Sequence, residues 1–185
     1  MEARYARNIP ALTEAECLTL RTKRVLVAGC GGLGGHIIDQ LARIGVGQLR
    51  VVDGDVFEPS NLNRQLLSRV SLLGTGKAKT AAEHIRAVDP DTEAEAVEAF
   101  MTQANVDALL ADCDAVLDGL DNPESRKLLA AACARAGIPY IYGAISGWVA
   151  QAAISMPGDQ LMELLYPEGT LLTDKSVLSF TLLVI

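Results

Sequence analysis

The chain has 185 residues, a length that suits one domain with one sizeable core. Half of the residues are hydrophobic and only 4% are aromatic, so the core must be built from Ala, Val, Leu and Ile, as in a parallel sheet covered by helices. The formal charge of −7 argues against nucleic acid or an anionic membrane as a general partner, and no apolar run approaches the roughly 20 residues of a membrane helix. The four cysteines (Cys17, Cys30, Cys113 and Cys133) form no C-x-x-C pair and read as buried thiols. The N-terminus is charged and carries no apolar signal stretch, so the expected compartment is the reducing cytoplasm.

Residues 1–23 read as a helical or irregular lead-in, with Thr13 as an N-cap and Glu16 at the third helical position. Residues 24–29 form a short apolar strand. The helix that follows carries Leu33, Ile37, Leu41 and Ile44 as its expected buried stripe and ends at Gly45. Leu49 to Asp53 is a second strand. Residues 76–88 are helical, with Ala78, Ala81, Ile85 and Val88 inward and Pro90 as the stop. Residues 93–99 suit an edge or half-exposed strand, 103–111 a short helix, and Asp114 to Asp118 brackets another strand. An Ala-rich helix spans 123–136 and ends at Gly137. Strands are expected at Ile138–Ala144 and Trp148–Met156, with a turn at Pro157-Gly158. The β-α-β-α order over 24–144 predicts an α/β fold, a doubly wound, mostly parallel Rossmann-like sheet with helices on both faces. The expected organisation is one domain, with a core at 24–156 and a tail at 157–185. Val177 to Ile185 is almost wholly apolar. It either packs as a strand or helix or marks a natural chain that continues, and both readings stay open.

The chemistry concentrates in four stretches. Gly29, Gly31 and Gly34 fit G-x-G-x-x-G after a strand, a turn whose backbone N–H groups approach a phosphate at a helix N-terminus. Asp53 follows near the spacing of about 20 residues at which an acidic group meets ribose hydroxyls. Asp55 projects to the same side of an extended segment and either orients a cation or caps the loop, with the cap slightly preferred. Arg64 lies in a polar stretch, Ser60 to Gln65, where it either pairs with phosphate oxygens or is a solvated surface group. Lys77 begins a helix, where the dipole disfavours a cation unless a phosphate lies between. Gly74-Thr75-Gly76-Lys77 is not a P-loop, because the leading glycine falls at Ser71 and Ala78 replaces the magnesium-binding hydroxyl. Asp121-Asn122 follows a strand at its carboxyl edge, as a Mg²⁺ ligand beside a phosphate-orienting amide or as a helix N-cap. His36 and His84 have no ligand-type partners in sequence and read as surface or satisfied groups.

Together these residues resemble the ThiF/MoeB/HesA family of ubiquitin-activating-enzyme-like adenylyltransferases. The resemblance spans residues 4–156 and includes Arg4-Tyr5-Ala6-Arg7 near the start. It implies a Mg-ATP-dependent enzyme that adenylates the C-terminal glycine of a ubiquitin-like sulfur carrier, in thiamine or molybdenum/tungsten cofactor synthesis. It further implies that Gly32 lies against the nucleotide and that Asp53 binds ribose. Ser60, Asn61 and Arg64 would line the phosphate site, Lys77 would stabilise the phosphates, and Asp121 would bind Mg²⁺. Arg7 would reach across a homodimer to the partner's phosphates. Longer members carry two zinc-binding C-x-x-C pairs. Residues 157–185 hold no cysteine, so neither zinc nor an acyl-carrying thiol is expected there.

Three other readings are weighed against this one. Adenylation of a small-molecule carboxylate or of modified tRNA keeps the chemistry and changes the substrate. A non-catalytic carrier-binding scaffold conflicts with the presence of Arg64, Lys77 and Asp121. An NAD(P)-dependent oxidoreductase fits the glycine turn and Asp53, but no His, Tyr or Lys constellation suggests hydride transfer.

Overall fold

In the computed structural model, residues 3–167 are described, so the apolar stretch Val177–Ile185 lies outside the described residues. Six strands form one sheet: β1 (Arg24–Ala28), β2 (Gln48–Val52), β3 (Glu93–Val97), β4 (Ala115–Asp118), β5 (Tyr140–Ser146) and β6 (Val149–Ser155). Their order is β3-β2-β1-β4-β5-β6. The first five are parallel, and β6 returns antiparallel to β5. The chain winds outward from β1 to β3 and then crosses back to place β4 beside β1. That reversal opens a crevice beyond the carboxyl ends of β1 and β4.

Strand alternation sorts the helices onto two faces. Val25 and Val27 point to one side, where they meet Ile38 and Ala42 of α2 (Gly32–Ile44) and Ala78, Ala81 and Ile85 of α3 (Lys77–Val88). Leu26 and Ala28 point to the other. There they pack with Val106 of α4 (Val106–Leu109) and with Leu129 and Cys133 of α5 (Pro123–Ala136). The expected doubly wound arrangement is therefore present. So is β3 as a half-exposed edge strand.

The helix boundaries follow their expected punctuation. Gly45 and Gly137 take left-handed conformations, φ +92° and +69°, that end α2 and α5. Thr13 and Glu16 form the expected capping box on α1 (Glu14–Leu20). The Gly158 turn has φ +101°, and a short α6 (Leu161–Leu165) follows where only tail was expected.

Three expectations need correction. The fully buried residues of α2 are Gly34, Gly35, Ile38, Asp39 and Ala42; of the expected stripe, Ile37 and Leu41 pack partly buried against the same core, Leu33 is half-buried and Ile44 is exposed. The glycine face must dock because the backbone approaches so closely there, and this rotates the larger side chains to the flanks. The helix expected at 103–111 shrinks to Val106–Leu109. Its start is held as a turn by the Asn105 side chain, which accepts from Thr102 N–H at 2.7 Å, and Asp112 with φ +61° ends the segment. The strand expected at Ile138–Ala144 begins two residues later, after Pro139, and runs into the hairpin with β6.

The lead-in is tied to the sheet by a buried carboxylate. Asp89, 1% exposed, accepts from the Tyr5 hydroxyl and pairs with Arg4 at 2.6 Å and Arg21 at 3.1 Å. Thr92 Oγ1 adds a bond at 3.0 Å. Burial pushes the Asp89 carboxyl up, but Tyr5, the Asp91 N–H, Thr92 and Arg21 outweigh it and hold it below the usual carboxylate range. Burial likewise pushes the Tyr5 phenol up, to about 12. A carboxylate with a depressed folded-state pKa contributes stability that is complete above its unfolded value of about 3.9 and lost as pH falls through the lower folded value. Asp89→Asn is expected to cost about 3 kcal/mol at pH 7. In urea unfolding the gap to the parent should narrow between pH 5 and pH 3; a gap as large at pH 3 counts against the assignment.

Candidate active site

The crevice is built from backbone first. Gly29, just past β1, has φ +89° and donates its N–H to Val52 O at 2.8 Å. A side chain at Gly34 is impossible, since its Cβ would lie 1.8 Å from Gly29 O. A Cβ at Gly119, in the loop after β4, would meet Gly34 Cα at 2.8 Å. Three glycines thus bring β1, α2 and the β4 loop into backbone contact. Gly31 is the N-cap of α2 and supplies no side-chain cap, so the first N–H groups of the helix face the crevice. Above them lies a cleft of about 640 Å³.

Gly29, Gly31 and Gly32 line that cleft, and Gly34 packs beneath it. Asp53 lines it beside β2. Its Oδ2 accepts from Cys30 N–H and its Oδ1 from Asp55 N–H, both at 2.8 Å, so it pins the glycine turn. Asp55 also lines the cleft, and its carboxylate pairs with Lys77 Nζ at 3.2 Å. That contact favours the cation-orienting role over the loop cap that the sequence slightly preferred. Lys77, 7% exposed, stands at the start of α3, where the dipole disfavours a cation, and this carboxylate offsets that field.

Arg64 lies along Gly32, where a Cβ would be 3.8 Å from Arg64 Cγ. Its protein contacts, Ser60 O at 2.9 Å and Asn63 Oδ1 at 3.2 Å, both use Nη1. Nε and Nη2 therefore have no protein partner among the described residues. Ser60 and Asn61 do not line the cleft. Asn61 is buried, its side-chain oxygen accepting from Glu58 N–H at 3.0 Å, so it shapes the turn that carries Arg64. Arg7 is exposed on the 3-10 helix Ala3–Asn8, outside the cleft of its own chain.

Asp121 and Asn122 complete the cleft on the β4 side. Asn122 is the N-cap of α5, accepting from Ser125 N–H at 2.8 Å. Asp121 is exposed, and its carboxylate makes no hydrogen bond or ion pair among the described residues. His84 is satisfied by Asp39 at 2.8 Å, and His36 lies at the cleft's edge on α2. No group of three or more His, Cys, Asp or Glu residues that could hold a metal occurs among the described residues. One free carboxylate suits Mg²⁺, which binds through one or two carboxylates plus substrate phosphates. Asp121 fits that need.

Two buried groups set the shape of the Asp121 loop. Asp118, 0% exposed, accepts from Leu120 N–H at 2.8 Å and from the Tyr140 hydroxyl. Burial pushes its carboxyl up, against the pull of Arg126 3.7 Å away. Arg126 donates to Leu120 O and, at 2.8 Å, to Gly143 O, bridging the loop to β5 while lining the cleft. The sequence reading missed Arg126, because nothing local in the sequence pairs it with Gly143 on β5. It also missed Gln65 and Phe100. Phe100 stands just past β3 and crowds Gly54, where a Cβ would be 2.8 Å from its ring. Cys30 is buried in the glycine turn, and burial together with Asp53 pushes its thiol well up, so it remains a protonated, unreactive group.

A doubly wound sheet with a glycine turn, an acidic residue after β2 and two cations at the switch point defines a nucleotide-binding α/β domain built for phosphate chemistry. The sequence model of the ThiF family matches residues 5–176, and the chain belongs to that family. It is 43% identical over 150 residues to the SAMP-activating enzyme E1 of Haloferax volcanii, covering 81% of this chain and 56% of that one. It is 34% identical over 168 residues to the heterocyst protein HesA of Trichormus variabilis, covering 89% and 63%. Among solved structures, E. coli tRNA N6-threonylcarbamoyladenosine dehydratase, TcdA, in complex with ATP superposes with a TM-score of 0.75 at 28% identity, over 79% of this chain and 61% of that one. The chain therefore spans less than two thirds of the length of these relatives. No helix among the described residues is long and apolar enough to cross a membrane.

The Gly29–Gly34–Gly119 contact leaves no room for a methyl group. Gly34→Ala is expected to lower stability by about 2–3 kcal/mol and to weaken nucleotide binding in parallel. A thermal melt matching the parent would refute the close packing.

Proposed function

We propose that this chain is an adenylyltransferase that activates the C-terminal glycine carboxylate of a ubiquitin-like sulfur carrier with Mg-ATP. The observation that carries the reading is the convergence of Arg64 and Lys77 on a cleft floored by an uncapped helix N-terminus, with Asp53 and Asp121 on opposite sides. Attack of a carboxylate on the α-phosphorus brings two negative groups together and releases pyrophosphate. In this reading the α2 N–H groups and Lys77 hold the phosphates, and Arg64 turns its free Nε and Nη2 to the charge that develops on them. Asp53 orients the ribose from a position its own hydrogen bonds fix. Asp121 holds Mg²⁺, which supplies further neutralisation of phosphate charge when bound. Asp55 keeps Lys77 extended, and Asn122 fixes the backbone beside Asp121. The chemistry needs no protein nucleophile, which agrees with the inert environment of Cys30.

The carrier substrate is favoured by 43% identity to an enzyme named for activating SAMPs, against 28% for one named for a modified tRNA. The net charge of −7 also disfavours tRNA. We further propose a cytoplasmic homodimer in which Arg7, exposed and remote from its own cleft, serves the partner's. ATP–pyrophosphate exchange that requires the carrier's terminal Gly-Gly supports the reading, and exchange driven by modified tRNA instead replaces the substrate.

Asp121→Ala and Arg64→Ala are each expected to reduce exchange at least about 100-fold with unchanged thermal melts, since neither side chain is buried. Full exchange in either variant refutes its role. Arg7→Ala mixed with Asp121→Ala should recover exchange that neither shows alone; no recovery speaks against an Arg7 that acts across subunits.

A further inference from the structure

The turn that carries Arg64 also carries a buried amide with an unused end. Gln65 is 7% exposed, and its backbone is fully engaged. Its N–H donates to Asn61 O at 3.0 Å, and its C=O accepts from the N–H and hydroxyl of Ser68 at 3.0 and 2.8 Å. Its side-chain oxygen is buried yet accepts no hydrogen bond among the described residues. Folded proteins satisfy buried polar atoms almost without exception, and an apolar residue of similar size at this position would avoid the cost. The fold therefore gives no reason for an amide here.

The position of the amide gives one. Its nitrogen lies against Gly31, 3.5 Å from where a Cβ would stand, and the residue lines the cleft. Gly31 is the uncapped N-cap of α2, a helix of 13 residues. The amide thus flanks the same space as the first helical N–H groups, with Arg64 beside it in sequence.

We propose that Gln65 is a phosphate-orienting residue: its amide donates to a phosphoryl oxygen of the nucleotide seated at the α2 N-terminus. The inference rests on the nucleotide reading given above. Phosphoryl oxygens are acceptors only, so they select the NH2 end of the amide. A neutral donor positions the phosphate without adding charge to a site that already holds Arg64 and Lys77.

The test compares the full-length parent with Gln65→Leu and Gln65→Glu, by calorimetric binding of ATP and of adenosine and by thermal unfolding without nucleotide. Gln65→Met serves in the same way if the Leu variant does not fold. The Leu variant should melt at or above the parent temperature and bind ATP about tenfold or more weakly, with adenosine binding unchanged. The Glu variant should lose more ATP affinity, because it sets a carboxylate against the phosphates. Equal ATP affinity in parent and Leu variant overturns the inference, as does a matching loss for adenosine. A Leu variant that melts lower and binds normally makes Gln65 a structural residue. A parent that binds neither ligand sinks the nucleotide reading itself, and this inference with it.

Discussion

The contact among Gly29, Gly34 and Gly119 is the constraint on which the site depends. Any Cβ at these positions meets backbone atoms of the others at distances real side chains do not reach. The contact is short because β1 and β4 are neighbours while the chain leaves them in opposite directions. Backbone N–H groups can then crowd one point in space, which side chains would otherwise separate. The N-terminus of α2 is pressed into the crevice as a result, and the cleft inherits a fixed positive end before any cation is added.

The same constraint explains what could be read from the sequence. Gly29, Gly31 and Gly34, and Asp53 after them, were legible because turn geometry and strand length fix their spacing locally. Asp121-Asn122 was legible because a loop at a strand's carboxyl end is where such sheets place ligands. The face of α2 was misread because periodicity sees Leu33 and Ile37 as the stripe, while the glycines, which score as neutral, are what actually docks. Arg126 and Phe100 were invisible for another reason. Each reaches the cleft only through a tertiary neighbour, Gly143 on β5 for one and Gly54 for the other, and no local pattern encodes those pairings. Within Arg4-Tyr5-Ala6-Arg7 the split is sharp. Arg4 and Tyr5 anchor the lead-in to Asp89, and Arg7 is left exposed.

Polar groups around the cleft fall into two sets. Asp53, Asn122 and Asp118 are held by backbone N–H groups, and Asp55 by Lys77. Their orientations are set before any ligand arrives, so they cost no reorganisation when charge develops. Among the described residues, Arg64 Nε and Nη2, the Asp121 carboxylate and the Gln65 amide nitrogen beside Gly31 have no protein hydrogen-bond partner, each on a loop whose backbone the first set or its own turn fixes. Free groups on a rigid frame are what a site needs to bind a charged substrate without first breaking protein hydrogen bonds.

The two most buried carboxylates make the point from the other side. Asp89 and Asp118 are almost equally hidden, at 1% and 0% exposure, yet their acidities move in opposite directions. Asp89 receives Arg4, Arg21, Tyr5 and Thr92 directly, so its charge is neutralised where it sits. Asp118 has a guanidinium only at 3.7 Å, because Arg126 spends its hydrogen bonds on the carbonyls of Leu120 and Gly143. Far from the cleft, ion pairing is complete and serves stability. Beneath the cleft it is incomplete, and Arg126 lines that space with its hydrogen bonds committed to the loop and to β5 rather than to Asp118.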